Sequence, residues 1–336
     1  MGLYLDNGYL NIRYCLGFKM PFTFIIGGRG TGKTFGAQLV CIEDHLIYML
    51  MRRTQAQADI ISKPAFSPIK PVADYLHRTF EVDAATKYNG TITTDDEGEH
   101  QLIGYTAALS TFSNLRGFSG EDIQVIIFDE FIPELHERSL KHEDSAFFNV
   151  IETINRNREL NGGRPVQTLL LSNSNSLNSP ILAALDLVKV VARMEDKGQQ
   201  EYINPERGIA IFLLLDSMIS ERKRDTALYR ATAGTDYAAM ALDNEFAYDD
   251  LSDVKSLPLK GFKLKMQVGP YYIYQADRFL YVSSHAQGTP ASIYEDTEID
   301  KRRFVREHPA FLQKILKHKL RYESFQAKTY LTSLYF

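Results

Sequence analysis

Short apolar runs that stop at glycine or at charged side chains recur along the first two thirds of the chain. They have the length and composition of buried parallel strands and lie at Phe22–Ile26, Ile47–Met51, Val125–Phe128, Thr168–Leu171 and Ile209–Leu215. Helical patterns separate them, most clearly at Thr34–Asp44 and Ala146–Asn155. Alternating strands and helices predict an α/β fold with a parallel sheet flanked by helices.

Two segments interrupt this alternation. Ala56–Phe80 carries prolines at positions 64, 68 and 71, which predicts a broken helical excursion. Thr91–Thr94 and Gln101–Tyr105 flank the acidic turn Asp95–Gly98, and this arrangement predicts a β-hairpin.

The pattern changes after about residue 216. Met218–Phe246 has a helical pattern, and the polar, turn-rich stretch Asp249–Pro258 indicates a linker. Short strands then follow at Lys263–Gln267, Tyr271–Gln275 and Phe279–Ser283, and a basic helical region at Lys301–Tyr322. We therefore predict an α/β domain at 1–216, a helical linker at 217–250 and a smaller α+β domain at 251–336.

Composition excludes several classes of protein. The chain has 336 residues, enough for two domains of roughly 100–200 residues each. Its net charge of −4 means that any nucleic-acid surface must be local. Cys15 and Cys41 are too few for a disulfide framework, and the amino terminus lacks the pattern of a signal peptide. Because its apolar runs fall far short of the ~20 residues of a membrane span, we expect a soluble, intracellular protein without a membrane partner.

The glycine-rich stretch after the first predicted strand fits the phosphate-binding pattern G-x-x-x-x-G-K-[ST]. Its residues are Gly27, Gly28, Arg29, Gly30, Thr31, Gly32, Lys33 and Thr34. Glycines let backbone N–H groups approach phosphate oxygens, and the following helix adds the positive end of its dipole. Lys33 is expected to contact the β and γ phosphates of ATP, and the Thr34 hydroxyl to bind Mg²⁺. A simple glycine-rich turn is the alternative, but the flanking strand and helix favour a nucleotide site.

The apolar run Val125–Phe128 ends at two carboxylates, Asp129 and Glu130. The carboxyl end of a central strand faces the ligand crevice, so Asp129 is expected to hold hydrated Mg²⁺. Glu130 would polarise the attacking water, which a hydrolase needs and a kinase does not. The alternative is an ordinary acidic start of a helix.

Two further pairs of polar residues are candidates for contacts with the nucleotide, one after a predicted strand and one at the end of a predicted helix. Ser172 and Asn173 follow the strand Thr168–Leu171, where an amide could sense the γ phosphate; a loop rich in turn formers is the alternative. Arg156 and Arg158 end the predicted helix Ala146–Asn155, where basic residues complement the helix dipole. On the sequence alone, this interaction with the helix dipole is the simpler interpretation. The more specific alternative is an arginine finger, which contacts the γ phosphate in a neighbour's site.

In their order along the chain, these motifs resemble the genome-packaging ATPases of small short-tailed phages. Those proteins are relatives of the large terminase subunits, within the ASCE class of P-loop ATPases. The segments that carry the resemblance are Gly27–Thr34, Ile47–Arg53, Val125–Phe131, Asn155–Glu159, Leu170–Asn173 and Thr235–Phe246. The resemblance covers most of residues 20–250 and weakens beyond, and each motif is specific only in the company of the others.

The resemblance implies a motor subunit that hydrolyses ATP and threads double-stranded DNA into a preformed capsid, in a ring of usually five copies. It makes Arg156 the expected finger in a neighbour's site and Arg29 a residue that switches with nucleotide state. It implies a protein of the host cytoplasm that docks transiently on the procapsid, with the capsid portal and a structural packaging RNA as partners. Some relatives carry a lysine where this chain has Thr54–Gln57, so no lysine contact is expected there.

The resemblance also implies that the C-terminal domain is a vestigial nuclease of the RNase H type. A nuclease of that kind needs several carboxylates that converge on two metal ions. The predicted strands between Lys263 and Ser283 contain one acid, Asp277, in a turn, and Val282–His285 follows where a catalytic acid is expected. The acids Glu295, Asp296, Glu298 and Asp300 are bunched in one polar segment that is typical of a solvated face. We therefore expect a nuclease-like fold without nuclease activity.

DNA contacts are expected to be local and directed at phosphate, which carries no sequence preference. The candidates are Arg116, in the loop Ser113–Gly120, and the cluster Arg222, Lys223 and Arg224. The segment from Asp300 to Phe336 contains nine Lys or Arg and three acids, an excess of positive charge that fits either a solvated basic face or a nucleic-acid contact.

Three other functions compete with a DNA-translocating motor. A P-loop switch or assembly ATPase would act on protein partners, and stimulation of hydrolysis by duplex DNA would distinguish the two. A small-molecule kinase is disfavoured by Glu130, and a helicase by the lack of its later motifs.

Overall fold

The computed structural model describes residues 2–335 except 97–98, 116–117, 134–139, 141, 174–176, 178, 216, 236–237, 239–241, 243–252, 277–278 and 318. The chain divides into two compact units, Met1–Tyr248 and Asp249–Phe336, and each has its own hydrophobic core. The helical segment that starts at Met218 is part of the first unit. The fold is mixed α/β, with a large, mostly parallel sheet and a second, smaller sheet at the carboxyl end.

The described part of the first unit is built on a nine-stranded sheet. Its strands are β1 (Phe22–Gly27), β2 (Tyr48–Arg52), β3 (Phe80–Ala84), β4 (Asn89–Asp96), β5 (Glu99–Ala108), β6 (Val125–Asp129), β7 (Gln167–Ser172), β8 (Glu201–Asn204) and β9 (Ile209–Leu214). They lie in the order β3-β4-β5-β2-β6-β7-β1-β9-β8. The strands from β5 through β9 in that order are parallel, and antiparallel pairs close both edges.

The central strands are apolar on both faces because helices cover the sheet on both sides. Every residue of β6 and β9 is buried. The register places Met51 beside Phe128, and Ile26 beside Ser172. The carboxyl ends of β1, β2, β6 and β7 therefore lie along one edge of the sheet, where a ligand crevice is expected.

The helices of the first unit are short. They are α1 (Ile12–Gly17), α2 (Lys33–Glu43), α3 (Gln55–Ile61), α4 (Lys70–Leu76), α5 (Glu143–Asn155), α6 (Pro180–Ala184), α7 (Val188–Asp196), α8 (Met218–Arg224) and α9 (Ala227–Ala231), with a 3-10 helix at Leu109–Asn114. The predicted break within Ala56–Phe80 is confirmed, since α3 and α4 are separate helices. The helical pattern predicted from Met218 is confirmed at its start by α8 and α9, which extended Thr226 separates, and much of the stretch from 236 to Phe246 lies outside the described residues.

The second unit has a five-stranded sheet among its described residues, in the order β13-β10-β11-β12-β14. Its elements are β10 (Lys263–Val268), β11 (Tyr271–Gln275), β12 (Leu280–Ser283), β13 (Ser292–Tyr294), α10 (Glu298–Glu307), α11 (Ala310–Leu316), β14 (Leu320–Tyr322) and α12 (Phe325–Ser333). The helical region predicted through Tyr322 is wrong at its end. Leu320 and Tyr322 are buried on either side of Arg321, and this alternation forms a strand parallel to β12.

Candidate functional site

The phosphate-binding loop joins β1 to α2, as the motif predicts. Gly32 lies just before α2 with a φ of 87°, a left-handed conformation that glycine adopts without strain. The Thr31 hydroxyl donates to the Gly28 carbonyl at 3.1 Å and ties the loop across its base. The backbone N–H groups at the start of α2 therefore face the ligand crevice.

Lys33 is buried within this loop. Its Nζ donates to the carbonyls of Gly27 and Gly28, each at 2.8 Å. Burial lowers the pKa of Lys33 to about 7, with further lowering from the nearby cations Lys223 and Arg29 and an opposing effect of Asp129. A polyphosphate placed against these cations would restore the charge of the lysine.

The oxygen atoms of Thr34 and Asp129 meet at the end of β6. The Thr34 hydroxyl donates to Asp129 Oδ2 at 3.0 Å, across the two neighbouring motifs. Mg²⁺ prefers oxygen ligands and is held by one or two protein groups together with phosphates and water. The described residues contain no group of three His, Cys, Asp or Glu that would bind a metal without phosphate. The Thr34 and Asp129 pair therefore fits Mg²⁺ that arrives with a nucleotide.

Arg52, the last residue of β2, holds both carboxylates of the acidic pair. Its Nη2 lies 2.8 Å from Asp129 Oδ2, and its Nη1 pairs with the carboxylate of Glu130. Burial raises the pKa of Asp129, and the charge of Arg52 is the largest effect that opposes this rise. Glu130 has a φ of 58°, an uncommon conformation for a residue other than glycine, and its side chain is 47% exposed.

Asn173 lies at the loop, as the γ-phosphate sensor hypothesis requires. Its Oδ1 is 3.3 Å from Lys33 Nζ, so the amide and the lysine approach one point at the strand-end edge. The Ser172 hydroxyl instead donates to the Asn173 carbonyl at 3.1 Å. Ser172 thus shapes the turn that presents the amide.

A cleft of about 900 Å³ contains the site. Its lining includes the phosphate loop, Asp129, Glu130, Asn173 and the amino-terminal segment from Leu5 to Arg13. The Leu10 N–H donates to the Thr31 carbonyl at 3.1 Å, and Arg13 pairs with Glu43 at 2.7 Å. The amino-terminal segment therefore forms a wall of the cleft, and Tyr9 presents a ring beside Gly32.

Arg156 and Arg158 lie on a different part of the first unit. Arg156 has a φ of 44° at the end of α5, and its Nη1 pairs with Glu121 at 2.9 Å. Its Nη2 donates to the Phe118 carbonyl at 2.9 Å. Arg158 donates to the Ile123 carbonyl at 2.8 Å. Both arginines thus connect the end of α5 to the segment before β6, and Arg156 is not among the described residues that line the cleft.

The nucleic-acid candidates have different surroundings. Arg116 lies outside the described residues. Arg222 and Arg224 are exposed on α8. Lys223 instead reaches the phosphate loop, where its Nζ donates to the Arg29 carbonyl. Desolvation lowers the pKa of Lys223, and the charge of Arg29 lowers it further.

In the second unit, the carboxylate that directly follows β14 lies beside the end of β12, and the sequence did not single it out. Glu323 accepts hydrogen bonds from the Ser283 hydroxyl at 2.9 Å and the Ser284 N–H at 2.6 Å, and pairs with His285 at 2.9 Å. Burial acts to raise the pKa of Glu323, but these hydrogen bonds outweigh it and lower the pKa. Two of the bunched acids form ion pairs near the start of α10: Asp296 pairs with Lys301, and Asp300 pairs with Arg303.

The basic residues near the carboxyl end are in part neutralised. Lys301 lies 2.9 Å from Asp296, and Lys328 lies 2.7 Å from the buried Asp253. Arg303 stacks over the Tyr294 ring with its Cζ 4.8 Å from the ring centroid. These pairs reduce the positive charge that the sequence count suggests for this region.

Comparison with known proteins identifies relatives along most of the chain. The sequence profile of the family described as Podovirus DNA encapsidation protein (Gp16) matches residues 6–257. The DNA packaging protein of Bacillus phage phi29 is 26% identical over 251 residues, which cover 72% of this chain and 67% of that protein.

Solved structures extend the likeness of fold to both units. The Phi-28 gp11 DNA packaging motor has a TM-score of 0.61 at 18% identity and covers 98% of this chain and 97% of that one. The bacteriophage Phi-29 viral genome packaging motor assembly has a TM-score of 0.60 at 20% identity, over 98% of both chains. At these identities the comparison shows a shared fold alone. No helix in the described part of the chain is long and apolar enough to cross a membrane.

Proposed function

This chain belongs to the family of podovirus DNA encapsidation proteins, and we propose that it is the ATP-driven motor subunit that translocates double-stranded viral DNA into a procapsid. The observation that carries the proposal is the contact between Thr34 and Asp129, with Glu130 beside them, at the mouth of the phosphate loop. A metal ligand pair and a candidate base at one strand end are the parts that ATP hydrolysis requires. The phi29 relative, a DNA packaging protein, supports DNA as the substrate that is moved.

ATP binds with its phosphates on the loop, and its base lies toward Tyr9 and the amino-terminal segment. The oxygens of Thr34 and Asp129 would hold Mg²⁺, which would supply neutralisation of phosphate charge. Glu130 takes a proton from the attacking water. Asn173, close to Lys33, registers the presence of the γ phosphate.

Arg156 acts in trans, on the γ phosphate of a neighbouring subunit. The support is its position outside its own cleft and its half-exposed guanidinium, 43% accessible beside Glu121. An exposed ion pair is weak enough to exchange for a phosphate. A finger of this kind requires a ring, and we propose five copies.

DNA passes the first unit and contacts phosphate-binding residues, with Arg116, Arg222 and Arg224 as candidates. The second unit contacts the capsid portal and a structural packaging RNA, and the ring works in the host cytoplasm while docked on the procapsid. The second unit has no nuclease activity. This proposal is supported by Glu323, the carboxylate beside the end of β12, which is occupied by serine and histidine donors.

The test combines the purified chain with cognate procapsids, duplex DNA and ATP. DNA should stimulate hydrolysis and become protected inside the capsid, and Lys33→Ala should abolish both activities. If procapsid proteins stimulate hydrolysis while DNA neither stimulates it nor becomes protected, the chain is a P-loop switch or assembly ATPase instead.

A further inference from the structure

The sequence groups Lys223 with Arg222 and Arg224 as one basic cluster, but α8 separates them in space. Arg222 and Arg224 are exposed, whereas Lys223 is half-buried. The Lys223 ammonium donates to the backbone carbonyl of Arg29, within the phosphate loop. The helix therefore directs one of its three cations at the nucleotide site.

The contact between α8 and the loop is close. A Cβ added at Gly30 would lie 2.2 Å from Lys223 Nζ, which is closer than nonbonded atoms approach. Gly30 also has a φ of 76°, a conformation that favours glycine. The ammonium therefore rests directly on the stretch of loop whose N–H groups face phosphate.

Three cations meet at this loop. The Lys223 ammonium donates to the Arg29 carbonyl, the Lys33 ammonium donates to the carbonyls of Gly27 and Gly28, and Arg29 lines the same cleft. The acids nearest to them, Asp129 and Glu130, are paired with Arg52. Such a concentration of positive charge is unfavourable by itself and is relieved by a polyanion.

We propose that Lys223 is a third phosphate-binding cation of the nucleotide site, which α8 supplies from the same subunit to the terminal phosphate of a nucleoside triphosphate. This inference rests on the proposed function, because it assumes that the loop binds ATP. An ammonium has three N–H donors, more than the Arg29 carbonyl takes, so Lys223 bonds the carbonyl and a phosphate oxygen together. Binding of the triphosphate thereby fixes α8 on the loop.

The competing explanation is that Lys223 only fastens α8 to the loop. Three variants of the full chain separate the two explanations. Lys223→Gln keeps a donor for the Arg29 carbonyl and loses the charge, and Lys223→Arg keeps the charge. Lys189→Gln makes the same exchange at an exposed lysine of α7, to which no role is assigned, and is the matched control.

The measurement is the equilibrium Kd for a non-hydrolysable ATP analogue and for ADP, with Mg²⁺ and without DNA. Lys223→Gln should raise the Kd of the ATP analogue about 10- to 100-fold, the range of a hydrogen bond to a charged group. The Kd of ADP should change at least fivefold less. Lys223→Arg should retain most of the affinity, and Lys189→Gln should match the wild type.

An unchanged Kd for the ATP analogue in Lys223→Gln would overturn the inference. Equal losses for the ATP analogue and ADP would also overturn it, because a fastening role alone affects both nucleotides alike. If the wild type binds no nucleotide, the proposed function itself fails. If the wild type binds nucleotide and the Lys223 variants match it, only the inference fails.

Discussion

The guanidinium of Arg52 binds Glu130 through one nitrogen while its other nitrogen lies 2.8 Å from Asp129. The Glu130 oxygen that accepts from Arg52 is occupied by the guanidinium and is not open to water. We therefore expect Glu130 to turn away from Arg52 when it acts on the attacking water. The left-handed backbone of Glu130 and its half-exposed side chain are consistent with such a movement.

Replacement of Glu130 by Gln should separate binding from turnover. The amide cannot accept the proton of the attacking water, so kcat should fall by about 10²- to 10⁴-fold. The Kd for ATP should change by no more than a few-fold, since the loop and the Thr34–Asp129 pair remain. Steady-state hydrolysis and equilibrium binding measure the two effects. The control is Glu81→Gln, which changes an exposed acid on β3 and should leave hydrolysis unchanged. If Glu130→Gln hydrolyses ATP at nearly the wild-type rate, Glu130 is not the base.

The lowered pKa of Lys33 predicts that stability without nucleotide depends on pH. The folded state binds this proton only below about pH 7, whereas the unfolded chain holds it up to the ordinary value of 10.5. Burial of the charged Lys33 therefore lowers the free energy of unfolding by its full amount below about pH 7. This destabilisation decreases by at most about 1.4 kcal/mol per pH unit as the pH rises above that value.

Urea unfolding of the wild type and Lys33→Met from about pH 6 to about pH 9 measures this effect. The comparison with Lys33→Met cancels the titration of other groups. Lys33→Met should be the more stable protein at the lower pH, and the difference should narrow as the pH rises. A difference that stays constant over this range would contradict the lowered pKa.

Arg53 and Glu143 form a buried ion pair whose loss should destabilise the first unit. Arg53 Nε and Nη2 lie 2.7 and 2.9 Å from the two oxygens of Glu143, and the side chains are 1% and 0% exposed. Arg53→Met leaves a buried, unpaired carboxylate, so the free energy of unfolding should fall by about 3–5 kcal/mol. Urea denaturation of the full chain measures the change.

Two comparisons make this test specific. The double variant Arg53→Met, Glu143→Leu removes both charges and should recover most of the loss. Arg13→Ala breaks an ion pair whose partners are about 40% exposed, and should cost no more than about 1 kcal/mol. If the double variant is as unstable as Arg53→Met, the uncompensated charge is not the cause.

The finger role of Arg156 predicts rescue between subunits. Arg156→Ala should lose DNA-stimulated hydrolysis, because the γ phosphate in each neighbouring site lacks its cation. Mixed rings of Arg156→Ala and Lys33→Ala subunits should recover activity, since some intact sites then face an intact arginine. Hydrolysis measured across mixing ratios reports the rescue. No recovery at any ratio would assign Arg156 to the fastening of α5 on Glu121 and Phe118.

The second unit should not cleave DNA. Purified chain incubated with supercoiled plasmid and Mn²⁺ should leave the plasmid intact, because Glu323 is engaged by protein donors. Nicking that Glu323→Gln abolishes would show an active nuclease at this position. Nicking that survives the substitution would point to another set of acids and would equally contradict the prediction.

Local sequence was sufficient for the parts of the structure that depend on neighbouring residues. The loop Gly27–Thr34 needs glycine for close backbone approach, and β6 needs a continuous apolar run because both its faces are buried. Each of these requirements restricts the residue types at a few consecutive positions, so the element can be predicted from the sequence. The approach of Thr34 to Asp129 follows from the position of strand ends, since the loop that leads to Thr34 leaves the carboxyl end of β1 and Asp129 ends β6 at the same edge of the sheet.

Contacts that depend on strand order left no such pattern. Arg52 meets the acidic pair because β2 pairs with β6 in a register that sets Met51 beside Phe128. Lys223 meets the loop because α8 follows β9, which lies next to β1. The strand β14 was mistaken for helix because a three-residue alternation inside a basic stretch is too short to show a period.

Arg52 and Arg53 are neighbours at the end of β2, and each forms ion pairs with a different part of the first unit. Arg52 pairs with Asp129 and Glu130, and Arg53 pairs with Glu143 in the first turn of α5, the helix that Arg156 follows. One peptide bond therefore joins the contact that holds the acidic pair to the contact that holds α5. We expect a change of the backbone at this point to alter both sets of ion pairs together.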